Sequence, residues 1–181
     1  MVCILLGSGF EEAEALVPAD LLRRARLEVC LAGVDGMAVT GAHGITVRAD
    51  RSVEEIDADE VELLFLPGGL GGVEAMRSSA PAVELIRRCR AAGKWVAAIC
   101  AAPTLLAGLG LLDGVRAVCY PGLEDQLTGA VPCPGTPVVQ DGRVITGEAA
   151  GSAFPFGLKL IEALRGPETA AKIGRSVHHH G

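Results

Sequence analysis

The stretch that decides the fold is Ala97-Ala98-Ile99-Cys100-Ala101-Ala102-Pro103. The apolar run Trp95–Ile99 predicts a buried β-strand, and Ala101–Leu109 predicts a helix that follows it with no loop in between. Small side chains flank Cys100 on both sides, as a tight strand-to-helix turn requires. This pattern is typical of a nucleophile elbow, in which the backbone at the exposed nucleophile is strained.

A cysteine at this turn faces the N-terminus of a helix. The free N–H groups and the helix dipole stabilise a thiolate there, so we expect a lowered pKa for Cys100. Nucleophilicity and sensitivity to oxidation would both follow from that pKa. The alternative is that Cys100 is an inert core residue, because cysteine is among the most buried residue types.

The rest of the chain alternates short apolar runs with longer amphipathic segments, which predicts βαβ units and a mostly parallel sheet. Further strands are predicted at Val2–Leu6, Glu28–Ala32, Glu62–Leu66, Val115–Cys119, Val138–Gln140 and Val144–Thr146, with short antiparallel strands or a hairpin within Met37–Arg48. Further helices are predicted at Glu11–Ala25, Pro81–Ala92, Ser152–Leu164 and Glu168–Arg175. The Asp141-Gly142 pair is a hairpin turn signal.

Length and continuity predict a single domain. The chain has 181 residues, enough for one good core, and it contains no repeat, linker or low-complexity tract. We expect one domain over residues 1–175 and a tail over 176–181. The tail contains the run His178-His179-His180, which could be natural or the remnant of an expression tag, and we exclude it from the chemistry.

Composition excludes several classes of partner. The formal net charge is −6 and no basic run stands out, which argues against nucleic acid and anionic membranes. The apolar start Val2–Leu6 is too short for a signal-peptide core, and no stretch reaches the length of a membrane span. We therefore expect a soluble cytoplasmic protein.

Six cysteines are spread along the chain, at Cys3, Cys30, Cys89, Cys100, Cys119 and Cys133. None forms a CxxC pair, and no histidines follow them at zinc-finger spacing. Structural disulfides are rare in cytosolic proteins. We expect neither structural disulfides nor a metal site.

Glu14 is the second residue with a chemical interpretation. It lies in the first turns of the first predicted helix, where Glu11 and Glu12 are expected to form a solvated acidic start. Ala13, Ala15 and Leu16 around Glu14 indicate partial burial. A carboxyl held near a thiolate in an apolar site would have a raised pKa and could donate a hydrogen bond or a proton.

Three strand ends carry informative loops. The segments Gly7–Glu14, Pro67–Gly72 and Cys100–Thr104 should open at the same edge of a parallel sheet, where such sheets bind ligands. The glycines lack the Lys-Ser/Thr of a P-loop and the third glycine of a dinucleotide fingerprint. Gly69 could instead let a backbone N–H approach a ligand oxygen, as in an oxyanion hole, or it could be a permissive turn.

Three motifs in this order resemble the DJ-one/ThiJ/PfpI superfamily. They are Gly9–Glu14, Leu66–Gly69 and Ala98–Thr104, and the similarity runs through essentially the whole chain, most closely to the branch of the Parkinson-associated protein and its bacterial relatives. The resemblance implies a flavodoxin-like three-layer sandwich and a homodimer. It also implies that Cys100 is the nucleophile and that Glu14 hydrogen-bonds its sulfur.

The resemblance further implies an oxyanion pocket made by backbone N–H groups of Gly69 and Ala101, with Gly68 beside them. Peptidase-type relatives have a histidine where this chain has Ala101, which disfavours a Cys-His protease. The Parkinson-associated protein has a histidine where this chain has Tyr120. Tyr120 could contribute a hydroxyl hydrogen bond, and His43 falls near a position where the family sends in an arginine from the partner subunit.

Family members are cofactor-independent glyoxalases, deglycases of early glycation adducts, oxidative-stress sensors and chaperones. Our preferred hypothesis is an enzyme without a cofactor that acts on small α-oxoaldehydes such as methylglyoxal, or on their glycation adducts. The alternative is a non-catalytic redox sensor or stress chaperone that uses oxidation of Cys100. A nucleotide-binding flavodoxin-like domain is a third reading, which rests on glycines alone.

Overall fold

The computed structural model describes residues 1–179, so the last two residues of the predicted tail, His180 and Gly181, lie outside the described residues. In chain order the strands and α-helices are β1 (Val2–Leu6), α1 (Glu12–Arg24), β2 (Val29–Gly33), β3 (Ala38–Thr40), β4 (Thr46–Arg48), β5 (Arg51–Ser52), β6 (Leu63–Leu66), α2 (Leu70–Ser78), α3 (Ala80–Ala91), β7 (Trp95–Ile99), α4 (Ala102–Gly108), β8 (Arg116–Ala117), β9 (Val131–Pro132), β10 (Val138–Asp141), β11 (Val144–Gly147), α5 (Ala153–Arg165) and α6 (Pro167–Ser176). Within residues 1–179, no helix combines the length and the apolarity that crossing a membrane needs.

A seven-stranded sheet occupies the middle of the molecule, in the order β10-β11-β7-β6-β1-β2-β5. All neighbouring strands run parallel except β10, which pairs antiparallel with β11 across the predicted Asp141-Gly142 turn. From β1 the chain first moves outward to β2 and β5, and then returns to β6 on the other side of β1. This reversal is the switch point at which open α/β sheets bind ligands.

Alternate strand residues enter two separate cores, one on each face of the sheet. On one face Leu5 and Leu64 pack with apolar residues of α2, α3 and α4. On the other face Ile4 and Phe65 pack with residues of α1, α5 and α6, and the ring of Phe65 lies 5.2 Å from that of Phe156. Each such side chain contributes about 1.5–3 kcal/mol by its removal from water. The predicted three-layer α/β sandwich is confirmed.

Helix α2 is an element that the sequence pattern does not predict, because Gly71 and Gly72 have low helix propensity. Packing explains both glycines. A Cβ added at Gly72 would lie 2.8 Å from the Cα of Phe10, and one at Gly71 would lie 3.0 Å from the carbonyl oxygen of Ser8. The first turn of α2 therefore lies directly against the loop that follows β1.

The predicted strand Val115–Cys119 is wrong in its length and in its place. Only the two residues of β8 form a strand, and they pair with β9 in a separate two-stranded sheet. The next residue, Val118, donates its backbone N–H to Thr146 Oγ1 at 2.9 Å instead of to a strand neighbour. The chain leaves the ladder there and turns toward the elbow at Cys100.

Candidate active site

Cys100 lies between the end of β7 and the start of α4. Its φ is +63°, in the left-handed region that residues with a Cβ rarely adopt. The neighbouring Ala98, Ala101 and Ala102 are all buried, so only small side chains fit around the turn. The N–H of Cys100 donates to the carbonyl of Gly147 at 3.0 Å, which ties the turn to β11. The predicted tight turn with a strained backbone is confirmed.

Glu14 lies in the first turn of α1 and is only 1% exposed. It shares the inward face of the helix with Pro18 and Leu21, at the spacing of an apolar stripe. Glu14 Oε2 accepts a hydrogen bond from the N–H of Gly68 at 3.0 Å. The same carboxyl is hydrogen-bonded to the thiol of Cys100. The sequence-based expectation that these three loops meet at one edge of the sheet is confirmed.

Gly68 and Gly69 are glycines because no Cβ fits at either position. A Cβ at Gly68 would collide with Glu14 Oε2 and lie 2.6 Å from Cys100 Cβ, which would separate the carboxyl from the thiol. Gly69 has a φ of +83°, and a Cβ there would collide with the carbonyl oxygen of Gly9. The close approach of three loops thus depends on these two residues.

The N–H groups of Gly69 and Ala101 both hydrogen-bond the sulfur of Cys100. Fixed N–H groups at such a position can stabilise negative charge that develops next to the sulfur during a reaction. The structure therefore places both predicted oxyanion groups at the cysteine. Their part in a reaction stays a prediction.

The resting site differs from the sequence prediction in the pKa of its cysteine. Burial, the charge of Glu14 and the hydrogen bond to it raise the pKa of Cys100 to about 12, and the N–H groups of Gly69 and Ala101 lower it only in part. The predicted low pKa is wrong because burial and the facing carboxylate outweigh the N–H groups at the helix N-terminus. Burial raises the pKa of Glu14 to about 7, against the lowering effect of the bond from Cys100. The pair is therefore a protonated thiol beside a base that titrates near neutrality.

A cleft of about 540 Å³ opens in front of Cys100. Leu70, Tyr120 and Leu123 are among its apolar walls, and Glu11 also lines it. Tyr120 is 49% exposed, and its N–H donates to the carbonyl of Cys100 at 2.8 Å. The predicted auxiliary residue Tyr120 thus lies in the cleft, held there by its backbone.

His43 is not brought to Cys100. Its ring Nδ1 lies 3.1 Å from Glu12 Oε2 and 3.5 Å from Glu11 Oε1, and the backbone N–H of His43 donates to Glu12 Oε1 at 2.8 Å. Glu12 also accepts the N–H of Ile45 and is 6% exposed, so the expectation that it is solvated is wrong. The ligand atoms of Glu11, Glu12 and His43 lie within 4.8 Å of one another, but the carboxylate of Glu12 is engaged in these hydrogen bonds. We assign no metal to this group.

The sequence model described as the DJ-1/PfpI family matches residues 1–163. The chain belongs to the DJ-1/PfpI family. It is 36% identical over 176 residues to Protein dj-1beta of Drosophila melanogaster, across 96% of this chain and 94% of that protein. It is 31% identical over 165 residues to Deglycase PfpI of Pyrococcus furiosus, across 91% and 99%. The solved structure of oxidized Toxoplasma gondii DJ-1 superposes with a TM-score of 0.95 at 35% identity, across 99% of this chain and 98% of that one.

Membership of the DJ-1/PfpI family was predicted from the three motifs and is confirmed. The two positions at which the resemblance implied histidines in relatives hold Ala101 and Tyr120 here. Within residues 1–179, Glu14 is the one ionisable side chain that hydrogen-bonds the sulfur of Cys100. Glu14 is therefore the side chain that lies in position to exchange a proton with this sulfur.

Leu70 and Glu11 line the cleft, and neither was predicted as a site residue from the sequence. Leu70 was missed together with α2, for which the three-residue spacing of Val73 and Met76, both buried, was the available signal. Glu11 is predicted from the sequence to be solvated at the helix start, whereas its side chain is 22% exposed. Its place at the cleft follows from its N–H, which donates to the carbonyl of Gly68 at 3.0 Å.

Proposed function

We propose that this protein is a cysteine-dependent enzyme, working without a cofactor, that converts methylglyoxal-type 2-oxoaldehydes or early glycation adducts, as a protection against carbonyl stress. The observation that carries the proposal is the hydrogen bond between the buried carboxyl of Glu14 and the thiol of Cys100 in an open cleft. Relatives named deglycases, 30% to 34% identical to this chain, support the reaction class.

In the first step the thiol of Cys100 adds to the aldehyde carbon of the substrate. A sulfur–carbon bond forms, the thiol proton passes to the carboxylate of Glu14, and the electron pair of the C=O bond moves to oxygen. A base whose pKa lies near the working pH is best suited to take such a proton, and the pKa of Glu14 is about 7. The N–H groups of Gly69 and Ala101 stabilise the oxyanion, and return of the proton gives a neutral hemithioacetal.

The second step is an internal redox rearrangement. Glu14 takes the hydrogen on the former aldehyde carbon as a proton. The electron pair left behind forms a C=C bond to the neighbouring carbon, and the electron pair of the neighbouring C=O bond moves to its oxygen, which gives an enediolate. Return of the proton to that neighbouring carbon, together with passage of the hemithioacetal hydroxyl proton to the neighbouring oxygen, gives a thioester. The aldehyde carbon has been oxidised and the ketone carbon reduced, so no external oxidant is needed. Water then cleaves the thioester, which releases lactate and restores the thiol of Cys100.

The test is methylglyoxal consumption with identification of lactate, in the wild type, Cys100→Ser and Glu14→Ala. Cys133→Ser is the matched control, because Cys133 is the other partly exposed cysteine among residues 1–179. We expect lactate from the wild type and from Cys133→Ser, and little from the other two variants. No lactate from the wild type, or an equal amount from Cys100→Ser, contradicts the proposal.

A redox sensor is the second candidate function. It is favoured by the access of Cys100 to the cleft, and by the two N–H groups and the carboxyl that could hold a sulfinate. Two equivalents of hydrogen peroxide would convert the thiol to sulfinic acid and release two molecules of water. Peroxide titration followed by peptide mass spectrometry tests it: a two-oxygen gain confined to Cys100 supports the sensor. Oxidation spread equally to Cys133 counts against it.

A further inference from the structure

One wall at the mouth of the cleft is formed by an exposed leucine. Leu70, the first residue of α2, lines the cleft and is 76% exposed. It directly follows Gly69, whose N–H bonds the sulfur of Cys100. The position of Leu70 is therefore coupled to the reacting atom. A large apolar side chain that is exposed at a cleft marks a surface that a ligand covers.

A second apolar wall comes from a different segment. Tyr120 is 49% exposed and lines the same cleft, and its backbone is bonded to the carbonyl of Cys100. Pro121 and Leu123 continue this wall. Both apolar walls are thus fixed to the elbow by backbone hydrogen bonds.

The cleft is much larger than methylglyoxal requires. Its volume of about 540 Å³ lies in the range of pockets that enclose drug-sized ligands. Methylglyoxal has a skeleton of three carbon atoms, and its methyl group would leave most of the apolar wall in contact with water. A substituent of aromatic size would cover Leu70 and the ring of Tyr120.

The charge of the lining adds a second restriction. None of the lining residues, all of which belong to the described part of the chain, is a lysine, arginine or histidine. Among the lining residues, the one that carries a carboxylate is Glu11. An anionic substituent would lose water there and meet the carboxylate of Glu11, which costs binding energy. The exposed ring of His43, 3.5 Å from Glu11 Oε1, offsets this charge only in part, because His43 does not line the cleft.

We propose that the cleft selects 2-oxoaldehydes whose substituent is uncharged, apolar and larger than methyl, and that Leu70 and Tyr120 are the specificity-determining residues that receive it. This inference rests on the proposed function. It adds a substrate class to that function and assigns roles to two residues outside the reacting pair, Leu70 and Tyr120.

The experiment compares kcat/KM for methylglyoxal, phenylglyoxal and 4-carboxyphenylglyoxal, with lactate and the mandelates quantified as products. For the wild type we expect phenylglyoxal to exceed methylglyoxal about tenfold, because apolar contacts of this size discriminate by about 10–200-fold. The carboxylated probe should fall about tenfold below phenylglyoxal. Leu70→Ala should lower the phenylglyoxal-to-methylglyoxal ratio about tenfold. Val131→Ala, which trims an apolar side chain exposed outside the cleft, should leave the ratio unchanged.

The outcomes separate this inference from the proposed function. Turnover of both neutral aldehydes at equal kcat/KM, or a ratio that Leu70→Ala does not change, overturns the selectivity and leaves the proposed function intact. Turnover of neither overturns the proposed function. Selectivity is then measured by protection of Cys100 from iodoacetamide, quantified on its peptide. Stronger protection by phenylglyoxal, weakened in Leu70→Ala, supports the inference, and equal protection by both aldehydes overturns it.

Discussion

Glu14 and Cys100 share a hydrogen bond although the strands that precede them are not neighbours. Glu14 follows β1 and Cys100 follows β7, with β6 between those strands in the sheet. Gly68, just after β6, donates its N–H to the carboxyl at 3.0 Å and so bridges the gap between them. Three adjacent strand ends thus build one site at the point where the strand order reverses.

Removal of the base should abolish most of the activity without unfolding the protein. Glu14→Gln keeps the size of the side chain and can still accept the N–H of Gly68, but it cannot take a proton from the thiol. We expect kcat/KM for methylglyoxal to fall about 10²–10⁴-fold, the usual contribution of a general base. Glu74→Gln, on the exposed side of α2, is the matched control and should keep wild-type activity.

The same variant has a signature in the pH profile. Below its pKa of about 7, Glu14 holds a proton and cannot accept the one on the thiol. Wild-type kcat/KM should therefore rise with pH through about 7 and then level off. Glu14→Gln should lack this limb. A limb of equal size in the variant would assign the titration to another group.

The fold was largely predictable from the sequence, because hydrophobic periodicity reports burial directly. The strands around Ile4, Phe65 and Ala98 and the turn at Cys100 were predicted close to their observed bounds. Helix α2 was not predicted, because its glycines are required by close packing against Phe10 and have low helix propensity. The strand predicted over Val115–Cys119 ends early for a similar reason. The backbone N–H of Val118 bonds to the side chain of Thr146 and not to the backbone of a neighbouring strand.

The candidate site was predictable in its members and not in its electrostatics. The topology brings Glu14, Gly69 and Cys100 to one edge, so their proximity follows from strand order alone. The pKa of Cys100 depends on how completely it is buried and on a carboxylate at hydrogen-bond distance. Neither can be predicted from the spacing of residues in the sequence. Leu70 lines the cleft only because α2 begins at that residue.

Glu14 should also make the stability of the protein depend on pH. Its pKa is raised from 4.5 to about 7 on folding. Between those values the unfolded chain has released the proton and the folded protein has retained it. The unfolded state binds fewer protons there, so the free energy of unfolding falls as pH rises. The wild type should lose about 2 kcal/mol from this group between pH 5 and pH 8.

Urea unfolding at pH 5 and pH 8 measures this loss. In Glu14→Gln the group no longer titrates, so the difference between the two pH values should be smaller by about 2 kcal/mol. The shifts of other groups, such as the raised pKa of His43, are present in both proteins and cancel in the comparison. The same pH difference in both proteins would contradict a raised pKa at Glu14.

The strained backbone at Cys100 predicts that, of two variants without the thiol, Cys100→Gly is more stable than Cys100→Ala. Its φ of +63° costs a residue with a Cβ about 1–2 kcal/mol, and glycine avoids that cost. Glycine loses more entropy on folding, which offsets about half of the gain. We expect Cys100→Gly to be about 0.5–1 kcal/mol more stable than Cys100→Ala in urea unfolding. If Cys100→Ala is the more stable of the two, the turn is not strained.

Gly68→Ala should damage the site more than the fold. The new Cβ would collide with Glu14 Oε2 and lie 2.6 Å from Cys100 Cβ, so the carboxyl and the thiol must move apart. Overpacking of this kind costs about 1–3 kcal/mol of stability. Loss of the hydrogen bond that passes the thiol proton should lower kcat/KM for methylglyoxal at least about tenfold, by the contribution of a positioned base.

Gly108→Ala is the control for that variant. At the end of α4 a Cβ would meet only the far end of Arg77, at 3.6 Å, an ordinary van der Waals contact. Alanine there should leave activity unchanged and raise the free energy of unfolding by about 0.5–1 kcal/mol, because the unfolded chain loses conformational freedom. Measurements of kcat/KM for methylglyoxal and of urea unfolding on both variants test these expectations. If Gly68→Ala proves as harmless as Gly108→Ala, then the contact between Glu14 and Cys100 does not require a residue without a Cβ at position 68.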